Sequence, residues 1–237
     1  MLLEKAKKYA QDCISGKEIT TFEVKTQCEW FLEDLEKQNN DYYPYYFDTK
    51  QIGIIEGILK LLIFATGLHI VGKSIYEGLE NFQAFFIANI FGWKYKTDSR
   101  KFRYREVDLF IPRKNSKTFL AALILIILML TEDEYSEFYS ICLDRDLAGE
   151  VKKAISQILN ASPLVLKYFN IPKTLSGRME CTLTHSFYQP RTAEANRNNS
   201  IRPSAFIADE YGAIKDNAKE LIITTLTMDD ILATISY

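Results

Sequence analysis

The stretch Glu106-Val-Asp-Leu-Phe-Ile-Pro-Arg-Lys-Asn-Ser-Lys-Thr118 decides the fold, because it reads as a strand that runs into a basic loop. β-forming residues fill its first half, and an apolar helix is predicted directly after it, over residues 119–130. In this order of elements, the loop directs backbone N–H groups at phosphates. In such a loop, Lys117 would reach the β- and γ-phosphates, and the Thr118 hydroxyl would bind magnesium. The pattern favours a P-loop nucleotide site.

The loop departs from the pattern G-x-x-x-x-G-K-[ST] at two positions. Ile111 stands where the first glycine is expected, and Ser116 stands where the second is expected. Glycine is used there because a non-glycine residue held at positive φ costs roughly 1–2 kcal/mol. Taken alone, the segment is equally compatible with a basic surface turn that precedes a buried helix.

A second segment supplies the acidic half of such a site. The mostly apolar residues 205–208 predict a buried strand that ends at Asp209 and Glu210. Buried carboxylates need compensation by a metal or by hydrogen bonds. We therefore expect Asp209 to bind magnesium and Glu210 to orient or deprotonate the attacking water. The alternative is a strand that ends at the surface with two solvated acids.

At this point the sequence resembles a known family, the large terminase subunit of tailed bacteriophages, over almost its whole length. The resemblance rests on stretches whose order and approximate spacing match the family: Gly16–Ile19, Cys28–Glu36, Tyr45–Asp48, Phe82–Trp93, Pro112–Thr118, Pro203–Tyr211 and Ile223–Thr225. The family's loop usually lacks the leading glycine, so Ile111 agrees with the resemblance. Ser116 remains a departure from it.

The resemblance implies roles for individual residues. The ATP phosphates would be bound by Pro112, Arg113, Lys114, Asn115, Ser116, Lys117 and Thr118. Gln83 would contact the adenine base, for which a side-chain amide offers both a donor and an acceptor. Arg113 would stabilise charge on the γ-phosphate. Thr225, next to Thr224, would sense that phosphate at a strand end.

Each of these roles has a structural alternative. Gln83 would face water on an amphipathic helix whose Phe82, Phe85, Phe86 and Ile90 pack inward. Arg113 would be a solvated loop residue or meet DNA. The two threonines would simply end a strand.

The resemblance also implies the activity and the partners. It predicts a Mg²⁺-dependent ATPase that drives double-stranded DNA into a prohead. The implied partners are the portal protein, the small terminase subunit and further copies in a homo-oligomeric ring, and the implied location is the host cytoplasm. Family members continue into a nuclease domain, so we expect the 237-residue chain to be a fragment without nuclease activity.

The pattern along the chain predicts an α/β fold of the P-loop NTPase type, in which helices flank a mainly parallel sheet. We place an N-terminal helical region at residues 1–79 and the ATPase core, incomplete at its C-terminal end, at residues 80–237. Helices are predicted at 2–14, 21–37, 50–66 and 147–159, with a tyrosine-rich loop at 39–48. Further strands are predicted at 137–143 and 178–188, followed by a polar stretch, and residues 221–223 would lead into the two threonines.

Composition agrees with a globular protein that contacts DNA only through a limited surface. The net charge of −2 argues against a chain that coats DNA by bulk electrostatics. The densest basic stretch, Lys94–Arg105, is a candidate contact for a phosphate backbone or a neighbouring subunit, with a solvated hairpin as the alternative. The longest apolar run is too short to span a membrane, and the four cysteines have no zinc-binding spacing.

Two other functions remain open at this stage. One is another P-loop DNA translocase, such as a helicase, because helicases also combine a base-reading glutamine with an acidic pair. The other is a non-hydrolysing assembly module in which Ser116 has impaired the loop. ATP turnover distinguishes the second from the first.

Overall fold

The computed structural model describes residues 1–67, 69–112, 114–142, 145–174, 176–192, 203–209 and 231–236. For residues 142, 145–148, 192, 209 and 231–236 the description covers the backbone alone. The chain forms two compact units, one of Met1–Lys60 with Lys73–Tyr104, the other of Leu61–Gly72 with Arg105–Tyr237. Residues 80–104 therefore cluster with the N-terminal helices, and the predicted boundary at residue 79 stays a prediction.

The N-terminal unit is mainly helical. Its elements are α1 (Leu2–Ile14), α2 (Phe22–Lys37), β1 (Tyr45–Phe47), α3 (Thr49–Leu61), α4 (Ile75–Gly78), α5 (Asn81–Gly92) and β2 (Trp93–Tyr95). Helix α1 packs against α2 and α5, and β1 pairs antiparallel with β2. Buried aromatic rings meet edge to face at the centre, with Phe31 contacting Phe47 and Trp93.

The first two helices agree with the predicted ranges, but α3 is shorter than predicted. It ends at Leu61, not at residue 66. Beyond its end, Ile63 donates its backbone N–H to Ser162 Oγ at 2.8 Å, and the ring of Phe64 stacks on Phe119 at 5.2 Å. Because Ile63 and Phe64 make these contacts, the chain leaves the helix after Leu61. The apolar pattern in the sequence continues past this point and therefore predicts too long a helix. The predicted loop at 39–48 also contains the short strand β1.

The second unit is built on a seven-stranded sheet. Its elements are β3 (Glu106–Phe110), α6 (Lys117–Thr131), β4 (Glu137–Cys142), α7 (Arg145–Ala161), α8 (Pro163–Leu166), β5 (Phe169–Asn170), β6 (Met179–Cys181), β7 (Phe187–Thr192), β8 (Ala205–Asp209) and β9 (Ile231–Ser236). The strand order is β3-β9-β8-β4-β7-β6-β5. All pairings from β3 to β7 are parallel, whereas β6 pairs antiparallel with both neighbours. The predicted α/β class is confirmed.

The core of this unit lies around α6. Every residue from Leu120 to Met129 is buried, as expected for a helix that is apolar on all sides. Helix α6 packs against α7, which in turn contacts β4 and β7. One buried polar contact joins the two strands, a hydrogen bond of 2.7 Å between Ser140 Oγ and Tyr188 Oη. No helix among the described residues is long and apolar enough to cross a bilayer.

The predicted strand at 178–188 is wrong, because the segment forms a hairpin. Strand β6 ends at Cys181, and β7 starts at Phe187 and continues to Thr192, through part of the stretch predicted as polar loop. In the turn between them, Thr184 Oγ1 and Ser186 Oγ both donate to the carbonyl of Met129 near the end of α6. These hydrogen bonds satisfy a backbone carbonyl at the end of α6 that has no partner within the helix. The residues that make them lie in a turn, so the strand is interrupted there. The predicted strand at 221–223 lies outside the described residues, and β9 was not predicted.

Candidate functional site

The candidate site begins with the loop that leaves β3. Lys114 and Ser116 adopt left-handed backbone conformations, with φ values of 68° and 64°. Between them, Asn115 Nδ2 donates to the carbonyl of Pro112 at 3.2 Å, which closes the loop on itself. Arg113 lies outside the described residues. The loop thus adopts at Ser116 the positive φ that the glycine of the pattern normally provides.

The loop passes directly into helix α6. Ser116 has φ 64° and ψ 29°, and Lys117 begins the right-handed helix. A left-handed residue beside a right-handed one points successive N–H groups into a common concavity that binds anions. The N-terminal ends of helices add to this attraction, because their first N–H groups have no partner within the helix. The geometry therefore fits a phosphate group at residues 116–118.

The loop side chains differ in exposure along the segment. Pro112, Lys114, Asn115 and Ser116 are exposed, whereas Lys117 is only 9% exposed. Thr118 is half-buried at the second helical position. A buried lysine at the first turn of an otherwise apolar helix is unusual, since lysine is mostly exposed in folded proteins. Its place suits the predicted contact with phosphates, which stays a prediction.

The register of the strands places Asp209 at the same edge of the sheet as the loop after β3. Asp209, the last residue of β8, lies opposite Ile235 of β9, which lies opposite Leu109 of β3. Because neighbouring strands lie about 4.8 Å apart, the backbone of Asp209 is about 10 Å from that of Leu109. The loop starts two residues beyond Leu109. In a parallel sheet this carboxyl edge is where ligands bind.

The residue types at this edge fit Mg²⁺ and a nucleotide. Carboxylate and hydroxyl oxygens, as in Asp209 and Thr118, are ligands that Mg²⁺ accepts together with phosphate oxygens and water. Glu210, Thr224 and Thr225 lie outside the described residues, so their predicted roles stay predictions.

Gln83 occupies the first turn of α5 in the N-terminal unit. It is buried at 5% exposure, and its Oε1 accepts a hydrogen bond of 3.0 Å from the backbone N–H of Glu80. This contact is half of a capping box, which satisfies backbone donors at the helix start. The alternative in which Gln83 faces water is therefore wrong. The predicted contact with adenine stays a prediction, and the Glu80–Gln83 spacing is the signal that indicates the cap.

The basic stretch Lys94–Arg105 is largely engaged in contacts within its own unit. Lys94 pairs with Asp48 at 3.2 Å, and Lys96 donates to the carbonyl of Asn40 at 2.7 Å. Arg103 pairs with the buried Asp34 and lies 4.5 Å from the ring centroid of Tyr45.

Arg103 also donates to Tyr43 Oη at 2.9 Å. Burial, together with the Asp34 carboxylate, raises the pKa of Tyr43, so this hydroxyl stays protonated. Several cations of this stretch therefore stabilise the fold. The pairing of Asp34 with Arg103 could not be predicted from the sequence pattern.

Comparisons with known proteins bear on the family and on the fold of the chain. Residues 81–235 match the family model described as terminase large subunit, ATPase domain. The crystal structure of the HK97 bacteriophage large terminase is similar in fold, with a TM-score of 0.64 and 20% identity. The match covers 80% of this chain and 38% of that one, so the chain spans well under half of the HK97 protein. The large terminase ATPase domain of a Thermus phage has a TM-score of 0.44 and 13% identity, over 56% of this chain and 59% of that one. No curated protein sequence matches significantly.

Proposed function

Because the chain belongs to the terminase large subunit ATPase domain family, we propose that it hydrolyses ATP with Mg²⁺ to drive double-stranded viral DNA into a prohead. The observation that carries the proposal is the shared edge of the sheet. The left-handed turn at Ser116–Lys117, which follows β3, and the carboxyl end of β8 at Asp209 lie at that edge, and β9 separates the two strands. A metal-bound triphosphate can contact the loop and Asp209 at once only if the two lie no farther apart than the triphosphate is long.

The residues divide the chemistry between them. Backbone N–H groups of residues 116–118 and the Lys117 amine would bind the phosphates, while Thr118 and Asp209 would hold Mg²⁺. Bound Mg²⁺ neutralises charge on the β- and γ-phosphate oxygens. Glu210 would orient water in line with the γ-phosphate and accept its proton. Arg113 would stabilise charge in the transition state, Gln83 would contact the base, and Thr225 would respond to loss of the γ-phosphate.

The wider assembly belongs to the same proposal. We place the protein in the host cytoplasm, in a homo-oligomeric ring on the prohead, with the portal protein and the small terminase subunit as partners. Lys94, Lys96 and Arg103 already have partners within their own unit, so we expect them to contribute little to DNA binding.

The conformation of Ser116 bears on the non-hydrolysing alternative. That alternative requires serine to impair the loop, yet Ser116 adopts the left-handed conformation of the glycine that it replaces. This supports a loop that binds phosphate.

ATP turnover and ATP binding, measured together, test the proposal. Lys117→Ala should abolish ATP binding in calorimetry, because it removes the cation at the helix start. Glu210→Gln should retain ATP binding and lose turnover, because an amide cannot accept the proton from water. Unchanged binding by Lys117→Ala, or turnover that survives Glu210→Gln, would refute the assignment.

A further inference from the structure

One segment of the second unit is inserted from the N-terminal part of the chain. The chain leaves the N-terminal unit after Lys60, contributes Leu61–Gly72 to the second unit, and returns to the N-terminal unit at Lys73. We call Leu61–Gly72 the strap segment. It begins at the last residue of α3 and ends shortly before α4. Both of its ends are therefore joined covalently to the N-terminal unit.

The start of the strap segment is anchored at the end of α7. Leu62 is fully buried, and the next residue, Ile63, donates its backbone N–H to Ser162 Oγ at 2.8 Å. Ser162 is itself fully buried, and its Oγ donates to the carbonyl of Ile158 at 2.7 Å. The hydroxyl thus joins the strap segment to the last turn of the helix.

A second anchor lies on α6. The ring of Phe64, which is 6% exposed, stacks on the ring of Phe119 with centroids 5.2 Å apart and planes inclined by 17°. The Gly72 N–H donates to the carbonyl of Phe64 at 3.0 Å, which closes the segment on its own anchor. Among described residues 61–67 and 69–72, Leu62 and Phe64 are the buried ones. A segment held at so few points can separate from its anchors at low cost.

Phe119 belongs to the same turn of α6 as Lys117 and Thr118. Successive residues of an α-helix are rotated by about 100°, so the direction of one side chain in a turn sets the directions of its neighbours. The first turn of a helix is also its least constrained part, because its N–H groups have no partners within the helix and helix ends fray. A ring stacked on Phe119 therefore helps to fix where the Lys117 and Thr118 side chains point.

We propose that the strap segment, through the stack of Phe64 on Phe119, positions Lys117 and Thr118 for the nucleotide, and that bound nucleotide in turn holds the strap segment on α6. The inference rests on the proposed function, because it needs a nucleotide at α6. The two effects are equal in free energy, since the coupling between two binding events is reciprocal. Phe64 is thus a positioning residue. Because the ends of the strap segment continue into the N-terminal unit, the chain itself carries the nucleotide-dependent change to that unit.

Calorimetric titration with Mg-ADP tests the positioning role on two matched variants. Phe64→Leu keeps an apolar side chain but loses the ring, so affinity should fall about three- to tenfold. Phe187→Leu is the control, because Phe187 is 7% exposed and also contacts an aromatic ring, that of Tyr139 at 5.7 Å. Phe187 is the first residue of β7, at the opposite edge of the sheet from the loop. The control should lower Tm by a similar amount and leave affinity unchanged.

Hydrogen exchange on the unmodified protein tests the reverse effect and needs no variant. The N–H groups of Ile63 and Gly72 make the two hydrogen bonds that close the strap segment, so they report directly on whether it is in place. Saturating Mg-ADP should slow exchange in a peptide that spans residues 61–72.

The outcomes separate this inference from the proposed function. If Phe64→Leu binds Mg-ADP as tightly as the unmodified protein, or if both leucine variants lose affinity equally, Phe64 does not position the site. If Mg-ADP binds but leaves exchange over residues 61–72 unchanged, the strap segment is not coupled to the nucleotide. The ATPase assignment stands in each of these cases. If the unmodified protein binds neither Mg-ADP nor Mg-ATP, the proposed function fails and the inference fails with it.

Discussion

At the residue scale, the left-handed conformation of Ser116 lowers the stability of the folded chain, and this effect can be measured without nucleotide. Ser116→Gly should stabilise the folded chain by about 1 kcal/mol and raise Tm by about 2–4 °C, because glycine tolerates positive φ. Thermal unfolding followed by circular dichroism measures the change. Ser156→Gly, inside α7, is the control and should lower Tm. If Ser116→Gly leaves Tm unchanged or lowers it, the backbone at Ser116 is not strained.

Asp48 gives a prediction for the dependence of stability on pH. Its Oδ1 accepts from the N–H groups of Lys50 and Gln51 at 3.1 and 3.0 Å, and its Oδ2 pairs with Lys94 at 3.2 Å. Burial opposes ionisation, but these contacts outweigh burial and lower the pKa of Asp48. A lowered folded-state pKa stabilises the fold above the unfolded value of about 3.9, and the stabilisation is lost as pH falls through the folded pKa.

Asp48→Asn should therefore reduce the free energy of unfolding by about 1 kcal/mol at neutral pH, since asparagine can still accept from the N–H groups of Lys50 and Gln51 but carries no charge. The difference from the unmodified protein should shrink below about pH 4. Urea unfolding across this pH range measures it, with Asp41→Asn in the exposed loop before β1 as control. A difference that is constant with pH would show that the carboxylate charge contributes nothing.

Residue-level features were predictable only where a sequence pattern fixes the backbone. The loop pattern predicts a positive φ at Ser116, with the free-energy cost that a non-glycine residue has there. The structure shows this positive φ. The burial of Gln83 was missed because its amide was assigned to a ligand, whereas the residue three positions earlier, Glu80, completes a capping box. Asp34 was missed because its partner Arg103 is distant in sequence.

At the element scale, the end of α5 must approach β1 closely. A Cβ added at Gly92 would lie 2.3 Å from Cε2 of the buried Phe47 ring. Gly92→Ala should therefore destabilise the chain by about 1–3 kcal/mol, the usual cost of overpacking a core. Gly57→Ala, inside α3, is the matched control, because nothing lies within 4 Å of the added Cβ.

The control should stabilise the chain by about 0.5–1 kcal/mol, because alanine favours the helix over glycine. The two alanine variants should thus shift the urea midpoint in opposite directions. Shifts of the same sign would argue against the close packing of α5 on Phe47.

Elements were predicted well where apolar periodicity is long and poorly where polar contacts end them. Helices α1, α2 and α6 and strands β3, β4 and β8 follow directly from their patterns. The β6–β7 hairpin was read as one strand, because the apolar residues continue through a turn that Thr184 and Ser186 fix by bonding to Met129. Such a contact, between residues more than fifty positions apart, leaves no local signal.

At the scale of the whole molecule, the α/β class and the order from strand to loop to helix follow from the sequence. The pairing of β3 with β9 does not, because parallel neighbours are joined through long crossover connections. That pairing matters most for function, since β9 alone separates β3 from β8. It sets the spacing of about 10 Å between Asp209 and Leu109.

The most direct measurement is a crystal structure with Mg²⁺ and a non-hydrolysable ATP analogue. We expect the triphosphate within hydrogen-bond distance of the N–H groups of residues 116–118, with Lys117 on its outer phosphates. The metal should be coordinated by Thr118 and Asp209, directly or through water. A nucleotide bound elsewhere on the chain, or a triphosphate in the loop whose metal has no contact with Asp209, would contradict the shared site.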